Sequence, residues 1–353
     1  MISWIAAGEC SYRIGHVVRL GLRSDLNDPI IAPMVGQISQ SLLSLEHLEH
    51  LVQGGNSLQG SDGRIPKFLG SLKNLKYLDL SSIPFSGNVL SHLGNLSNLQ
   101  YLDLSSTEDT HSTDVSWLRH TLDRCVMISQ ATILTIQLHP RGFTYERRSR
   151  LFSFWTILTN ILGTIPNCMR QLTGLQFLGL SGNNISGSIP NWIGQLTSLE
   201  FLSLARNNIN GVRPDLMAQL TSLNILDLAE NNITGPLPSF VGNFTSFTGL
   251  KSLQWIDLSS NSLMIKIGSE WKPPFTLMEG HFGSYWFCST FSKVTYLSIA
   301  NNQIRGGLPA NMENMSLIQL FLGSNQLTGQ MPLMPISLTT LDLSKNYFSG
   351  LLP

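Results

Sequence analysis

Apolar positions recur along this chain in one pattern, an aliphatic residue followed three and five positions later by two more. Leu175, Leu178 and Leu180 carry it in LQFLGLSGNNISGSIP, and LEFLSLARNNINGVRP from Leu199 and LNILDLAENNITGPLP from Leu223 repeat it. The three runs begin 24 residues apart. Further copies start at Leu75 (LKYLDLSS), Leu99 (LQYLDLSS), Leu253 (LQWIDLSSNSL) and Val294 (VTYLSIANNQIRGGLP). Two shorter ones contain LFLGSNQLTGQMP and LDLSKNYFSGLLP, and a degenerate one runs from Leu48 to Gly60. Self-similarity at this period marks stacked supersecondary units.

Each recurring position has a physical task. Leu178 and Leu180 lie two apart, so they share one face of a short strand and bury, while their neighbours face out. The asparagine that follows (Asn183, Asn207, Asn231, Asn261, Asn302, Asn325, Asn346) stands where the chain turns inward. Its amide can satisfy backbone groups of the turn and of neighbouring coils. Gly187, Gly211, Gly235, Gly306 and Gly329 allow a positive-φ bend. An aliphatic–proline pair (Ile65-Pro66, Ile165-Pro166, Ile189-Pro190, Leu237-Pro238, Leu308-Pro309) then returns to the core, with φ fixed before the next segment. One coil cannot fold alone. Five or six buried aliphatics contribute about 10 kcal/mol, against at least about 1 kcal/mol for each residue ordered. Coils therefore survive by stacking, and stability is a nearest-neighbour property. The predicted architecture is a right-handed β/α superhelical solenoid. It has a parallel sheet on its concave face and short 3-10 or irregular segments on its convex face.

The pattern divides the chain. Residues 1–35 read as the remnant of an N-terminal cap and first strand; residues 36–107, 161–263 and 292–353 read as repeats, the last ending without a cap. Residues 108–160 and 264–291 interrupt the template. The first break holds Arg141, Arg147, Arg148 and Arg150 and no ladder asparagine. It reads as a real insertion contributing binding chemistry or, the reading favoured here, as repeats lost or mistranslated after STDVSWL. Because a one-dimensional stack passes stability only between touching neighbours, the break is expected to leave two weakly coupled sub-arrays.

Composition adds exclusions. The 22 basic and 22 acidic side chains balance, so no overall field attracts nucleic acid or an anionic membrane. Apolar residues reach 42%, yet no apolar run approaches the length of a membrane span. Met1–Cys10 lacks the basic region of a signal peptide. Cys10, Cys125, Cys168 and Cys288 are scattered, without zinc or redox spacing, and leave the compartment undecided. His47 and His50 fall at variable positions and do not suggest a metal site. No phosphate loop or kinase signature is present. No cofactor and no catalytic residue is expected. Asp79, Asp103, Asp227, Asp257 and Asp342 recur a repeat apart as part of the template, not as an acid–base pair.

Candidate ligand-binding residues are those facing out from the strands. Tyr77, Tyr101, Phe177, Phe201, Ile225, Trp255 and Tyr296 form a column just before the strand leucine. Aromatics can anchor an interface or simply pack laterally between adjacent strands, and lateral packing is the favoured reading for any single ring. Trp255, Arg206 and Glu230 depart from the template and are the more telling candidates. Five sequons stand at Asn95, Asn184, Asn232, Asn243 and Asn314, a number that the Ser and Thr content alone could supply. In a secreted protein some of these are expected to carry glycans.

The G-x-I/L-P extension resembles the plant extracellular subtype of leucine-rich repeats. Several stretches also resemble plant receptor-like proteins of the defence group that includes the xylanase-sensing and leaf-mould-resistance receptors. They are GHVVRLGLRS, GQISQSLLSLEHLEHL, GRIPKFLGSLKNLKYLDLS, STDVSWL, EWKPPFTL and STFSKVTYLSIANNQI. The resemblance implies a leucine-rich-repeat solenoid that is no enzyme. It would be the ectodomain of a cell-surface glycoprotein that binds a protein or peptide ligand on its concave face for defence signalling. A receptor-like kinase would serve as co-receptor, and membrane attachment would come only through a segment missing from this chain. Two alternatives stand beside it, a soluble extracellular inhibitor of a microbial cell-wall hydrolase and a truncated remnant without function.

Overall fold

A computed structural model describes residues 9–13, 16–22, 33–60, 63–88, 91–105, 160–212, 217, 219–236, 250, 252–267, 288 and 291–350. Among these, a twelve-stranded sheet runs the length of the array. It opens with an antiparallel hairpin, Glu9–Arg13 with His16–Gly21, and continues in parallel. Three-residue strands follow, such as Tyr77–Asp79, Tyr101–Asp103, Phe177–Gly179, Phe201–Ser203, Ile225–Asp227, Trp255–Asp257 and Tyr296–Ser298. The central residue of each strand meets its equivalent in the next, Leu178 opposite Leu202 and Leu202 opposite Leu226. These leucines are fully buried, as are Leu175, Leu180, Leu199 and Leu204, so the alternation predicted from the sequence holds.

A second sheet was not expected. It has nine strands, among them Ser86–Asn88, Asn160–Gly163, Asn184–Gly187, Asn208–Val212 and Asn232–Pro236, and lies after the inward turn of each coil. Its sequence signature is faint because each strand contributes one buried aliphatic, such as Ile185 or Ile209, before the bend at Gly187 or Gly211. Those glycines take φ near +80°, a conformation a side chain would strain. On the opposite side lie 3-10 turns, including Lys67–Ser71, Asn167–Gln171 and Asn191–Gln195. Each follows its proline directly: Pro66, Pro166 and Pro190 occupy the N-cap at φ −63°, −76° and −73°.

The asparagines bind backbone, and always backward. Asn207 Nδ2 donates to Leu204 and Ala205 of its own turn and to Leu180 of the preceding coil, at 3.0, 3.1 and 2.9 Å. Its Oδ1 accepts the Ile185 N–H, also of the preceding coil, at 2.9 Å. Asn231, Asn302 and Asn325 repeat this arrangement. Each such asparagine thus serves its own inward turn and completes that of the coil before it.

Against the expectation of two weakly coupled sub-arrays, the described residues on either side of the first break touch directly. Tyr101–Asp103 pairs directly with Phe177–Gly179, and Ser86–Asn88 with Asn160–Gly163. Asn183 holds both flanks, donating to the Leu104 carbonyl at 2.9 Å and accepting the Ile161 N–H at 3.3 Å. Leu99 and Leu175 stand 76 positions apart, 52 more than one 24-residue coil. Leaving out residues 108–159 therefore restores the period, and the described residues on either side of them share one coil. The segment itself, and most of the second break, lie outside the described residues. Ahead of that second gap, Ser262–Ile267 pairs with Gln303–Gly306, so the second sheet also continues across it.

Candidate functional site

The outward rows of the long sheet bring most of the candidate residues together. In the row before the central leucine, Tyr77 stacks on Tyr101 at 3.9 Å, Tyr101 on Phe177 at 4.1 Å and Phe177 on Phe201 at 4.1 Å. Their planes lie within 12° of parallel. The strand spacing of about 4.8 Å lets neighbouring rings lie face to face with little tilt. Ring faces are thus largely covered by each other, leaving edges to solvent; all four residues are half-buried. Ile225 interrupts the column and is buried. Beyond it, Trp255 stacks on Tyr296 at 4.7 Å. Trp255 is itself 9% exposed, which leaves little of it for a partner.

Two rings join the column that the template did not mark. His50 lies 5.8 Å from Tyr77, and Phe321 lies 5.6 Å from Tyr296. Phe321 sits on the far side of its central leucine, so its position in the repeat gave no signal. Burial, followed by the charge of Arg19, pushes the His50 imidazole below its usual value. His47 lies instead against His16, at 3.9 Å, so His47 and His50 do not converge.

The second row carries the aspartates, and their local role is a turn cap. Asp103, Asp227, Asp257 and Asp342 each accept the N–H two residues on, at 2.9, 3.2, 2.8 and 2.8 Å. Asp79 does the same at 3.0 Å and is fully buried. Asp342 is half-buried, and its bonds from Ser344 hold its carboxyl below the usual range. Asp227 differs. Burial first, and then the neighbouring charge of Asp257, push its carboxyl up to about 7. Asp257 is pushed up as well, chiefly by burial. Burial and the nearby Asp103 also raise the Tyr101 phenol well above its usual value.

Arg206 and Glu230 pair with each other, Nε to Oε1 at 3.0 Å. Both have positive φ, 54° and 53°. They occupy the residue before the ladder asparagine, where Gly182, Ser260, Asn301, Ser324 and Lys345 have positive φ too. This left-handed position recurs in every such coil and is rare for a side-chain-bearing residue. Gly182 before Asn183, and Gly55 (φ 73°) before Asn56, are its plain traces in the sequence.

Of the sequons, Asn95, Asn184, Asn232 and Asn314 are exposed, and Asn243 lies outside the described residues. The Asn184 amide oxygen accepts from Asn208 at 2.6 Å. Among the described residues there is no cluster of three metal-ligating side chains, and no helix is long and apolar enough to cross a membrane. Cys168 and Cys288 are free thiols.

Two family models, both described as leucine-rich repeat, match residues 173–233 and residues 74–96, 293–315 and 337–353. These stretches are leucine-rich repeats, and the fold is that of a leucine-rich-repeat solenoid. The repeats are similar to those of plant receptor-like proteins. The chain is 46% identical over 85 residues to receptor-like protein EIX2 of Solanum lycopersicum, a match spanning 23% of this chain and 8% of that protein. It is 29% identical over 140 residues to receptor like protein 28 of Arabidopsis thaliana, spanning 30% of this chain and 18% of that one. Among solved structures, the leucine-rich-repeat array is similar to a TDR receptor, with a TM-score of 0.63 at 27% identity. That likeness covers 92% of this chain and 44% of the receptor. A plant ice-binding protein shares the fold, with a TM-score of 0.63 at 22% identity over 93% of this chain and 79% of that one.

Proposed function

We propose that this array is a recognition surface of the receptor-like type, binding a peptide or protein along the outward face of its long sheet on the cell exterior. The observation that carries the reading is the row from Tyr77 to Phe201, half-buried and edge-on to solvent, with the aspartate row beside it. Rigid aromatic edges held in register lose little conformational freedom on contact, which suits them to anchor a partner. Arg206, Glu230, Trp255 and Tyr296 extend the same surface, Trp255 mainly as support for Tyr296. The names of the plant relatives, receptor-like proteins and a TDR receptor, agree with such a role. HAESA, similar in fold at 22% identity, is known in complex with the peptide hormone IDA and the co-receptor SERK1. A peptide ligand, a kinase co-receptor and defence signalling are proposed here by analogy. Glycans at Asn95, Asn184, Asn232 and Asn314 fit the same exterior location.

The test is a displayed library of linear peptides panned against the whole chain and against F177E/F201E. A Gln195→Glu variant on the 3-10 side serves as control. Binders that hold the chain and the control but are lost with F177E/F201E, at unchanged circular dichroism, support the reading. Binders indifferent to the long-sheet variant, or none at all, overturn it.

A further inference from the structure

Register places Asp227 directly opposite Asp257 on adjacent parallel strands. Side chains at paired positions of neighbouring strands project on the same face, about 4.8 Å apart. On either side of the pair the same row is neutral, with Ser203 before and Ser298 after. The Ser203 hydroxyl donates to Asp227 Oδ2 at 3.0 Å, and the Tyr296 hydroxyl donates to Asp257 Oδ2 at 3.3 Å. The turn N–H groups of Ala229 and Ser259 take the Oδ1 atoms. The cation whose charge reaches Asp227 is Arg206, and it is ion-paired with Glu230. Two carboxylates thus share a desolvated place with hydroxyl donors and a cation divided with a third carboxylate.

We propose that Asp227 and Asp257 hold one proton between them near neutral pH, making the middle of the long sheet a proton-linked element whose charge and stability change together. Like charges this close in a desolvated setting do not both ionise readily, so the pair titrates as a unit. Both carboxyls are lifted by burial, and the pair's last proton is retained to about 7, the value to which burial and Asp257 lift Asp227. This is a property of the chain itself and holds whichever partner the sheet takes.

The sign follows from linkage. A carboxyl lifted above its unfolded value of about 3.9 binds its proton more tightly when folded. Its contribution is fully present below about pH 4, declines as pH rises and is gone above about 7. The unfolding equilibrium constant attributable to this group therefore rises with pH, at most about a thousandfold across that window. Releasing the proton also adds a negative charge to the outward face, so affinity for any partner touching this stretch would change over the same range.

The experiment is an infrared titration of the whole chain between pH 5 and 8.5, with urea midpoints measured in parallel. Wild type, Asp227→Asn and Asp257→Asn are compared. The expected result is a protonated-carboxyl C=O band in wild type that disappears around pH 7 and is absent in Asp227→Asn. The wild-type midpoint should fall relative to Asp227→Asn as pH rises. Asp257→Asn, which removes the like charge, should move the band's disappearance to lower pH. A wild-type spectrum without a protonated carboxyl at pH 6 overturns the proposal, and that measurement needs no variant to fold. A band that persists unchanged in both variants overturns it too.

Discussion

Asn183 is the residue on which the interrupted coil depends, and its removal makes a quantitative prediction. Its amide donates to Leu104, Leu180 and Ser181 at 2.9, 3.1 and 3.2 Å and accepts from Ile161 at 3.3 Å. Leu104 and Ile161 are both buried, at 1% and 2% exposure. Asn183→Ala leaves the Ile161 N–H and one lone pair of the Leu104 carbonyl without a partner, at about 1–3 kcal/mol for each buried orphan. The sum, about 2–6 kcal/mol, falls on the interface between the interrupted coil and the coil that starts at Leu175, because Leu104 and Ile161 belong to the two halves of the former. In a quasi-one-dimensional stack this interface decides whether the two parts open together. Hydrogen exchange read by mass spectrometry on residues 75–104 and 199–228 separates the cases. Asn183→Ala should speed exchange in 75–104 by about 30- to 25,000-fold and leave 199–228 much less affected. Asn231→Ala, which cuts the same bonds between coils of unbroken sequence, should spare 75–104. Equal protection of 75–104 in wild type and Asn183→Ala would mean that strand pairing alone joins the two parts, and the reasoning would fail.

Three further outcomes are expected. A chain lacking residues 108–159 should keep the wild-type circular dichroism and unfold at the same or higher urea, since the joined coil has template length. Thr107→Asn in that background should stabilise it further by supplying the missing ladder amide, and failure of the shortened chain to fold would contradict the split coil. Gly94→Ala should destabilise by about 1–3 kcal/mol, because a Cβ there would meet the Cys168 backbone oxygen at 2.6 Å, whereas Gly174→Ala, with nothing within 4 Å, should stay within about 0.5 kcal/mol on the same denaturation curve. Leu320→Ala should cost about 2–5 kcal/mol, and Leu341→Ala at the equivalent place one coil later less than half of that, since Leu320 is fully buried and Leu341 is 36% exposed.

Much of this molecule is written locally. The spacing of Leu175, Leu178 and Leu180 dictates a short strand with one buried face, Gly187 and Gly211 mark positive-φ bends, and the prolines after Ile65, Ile165 and Ile189 set where the 3-10 turns begin. These features answer to steric and hydrophobic constraints within a few residues, so the order of residues alone carries them. What the chain order hid depends on partners far away in sequence. Asn183 looks like every other ladder asparagine, yet its bonds reach back 79 residues to Leu104, and only that contact shows that residues 108–159 interrupt one coil. The aromatic column is legible as a list, but its face-to-face stacking, and the addition of His50 and Phe321, follow from inter-coil register. Asp227 and Asp257 are two ordinary template aspartates until strand pairing sets them side by side, where desolvation and mutual repulsion change their chemistry. Periodicity determined the coil; stacking, which acts between residues a whole coil apart or more, decided which side chains share a surface.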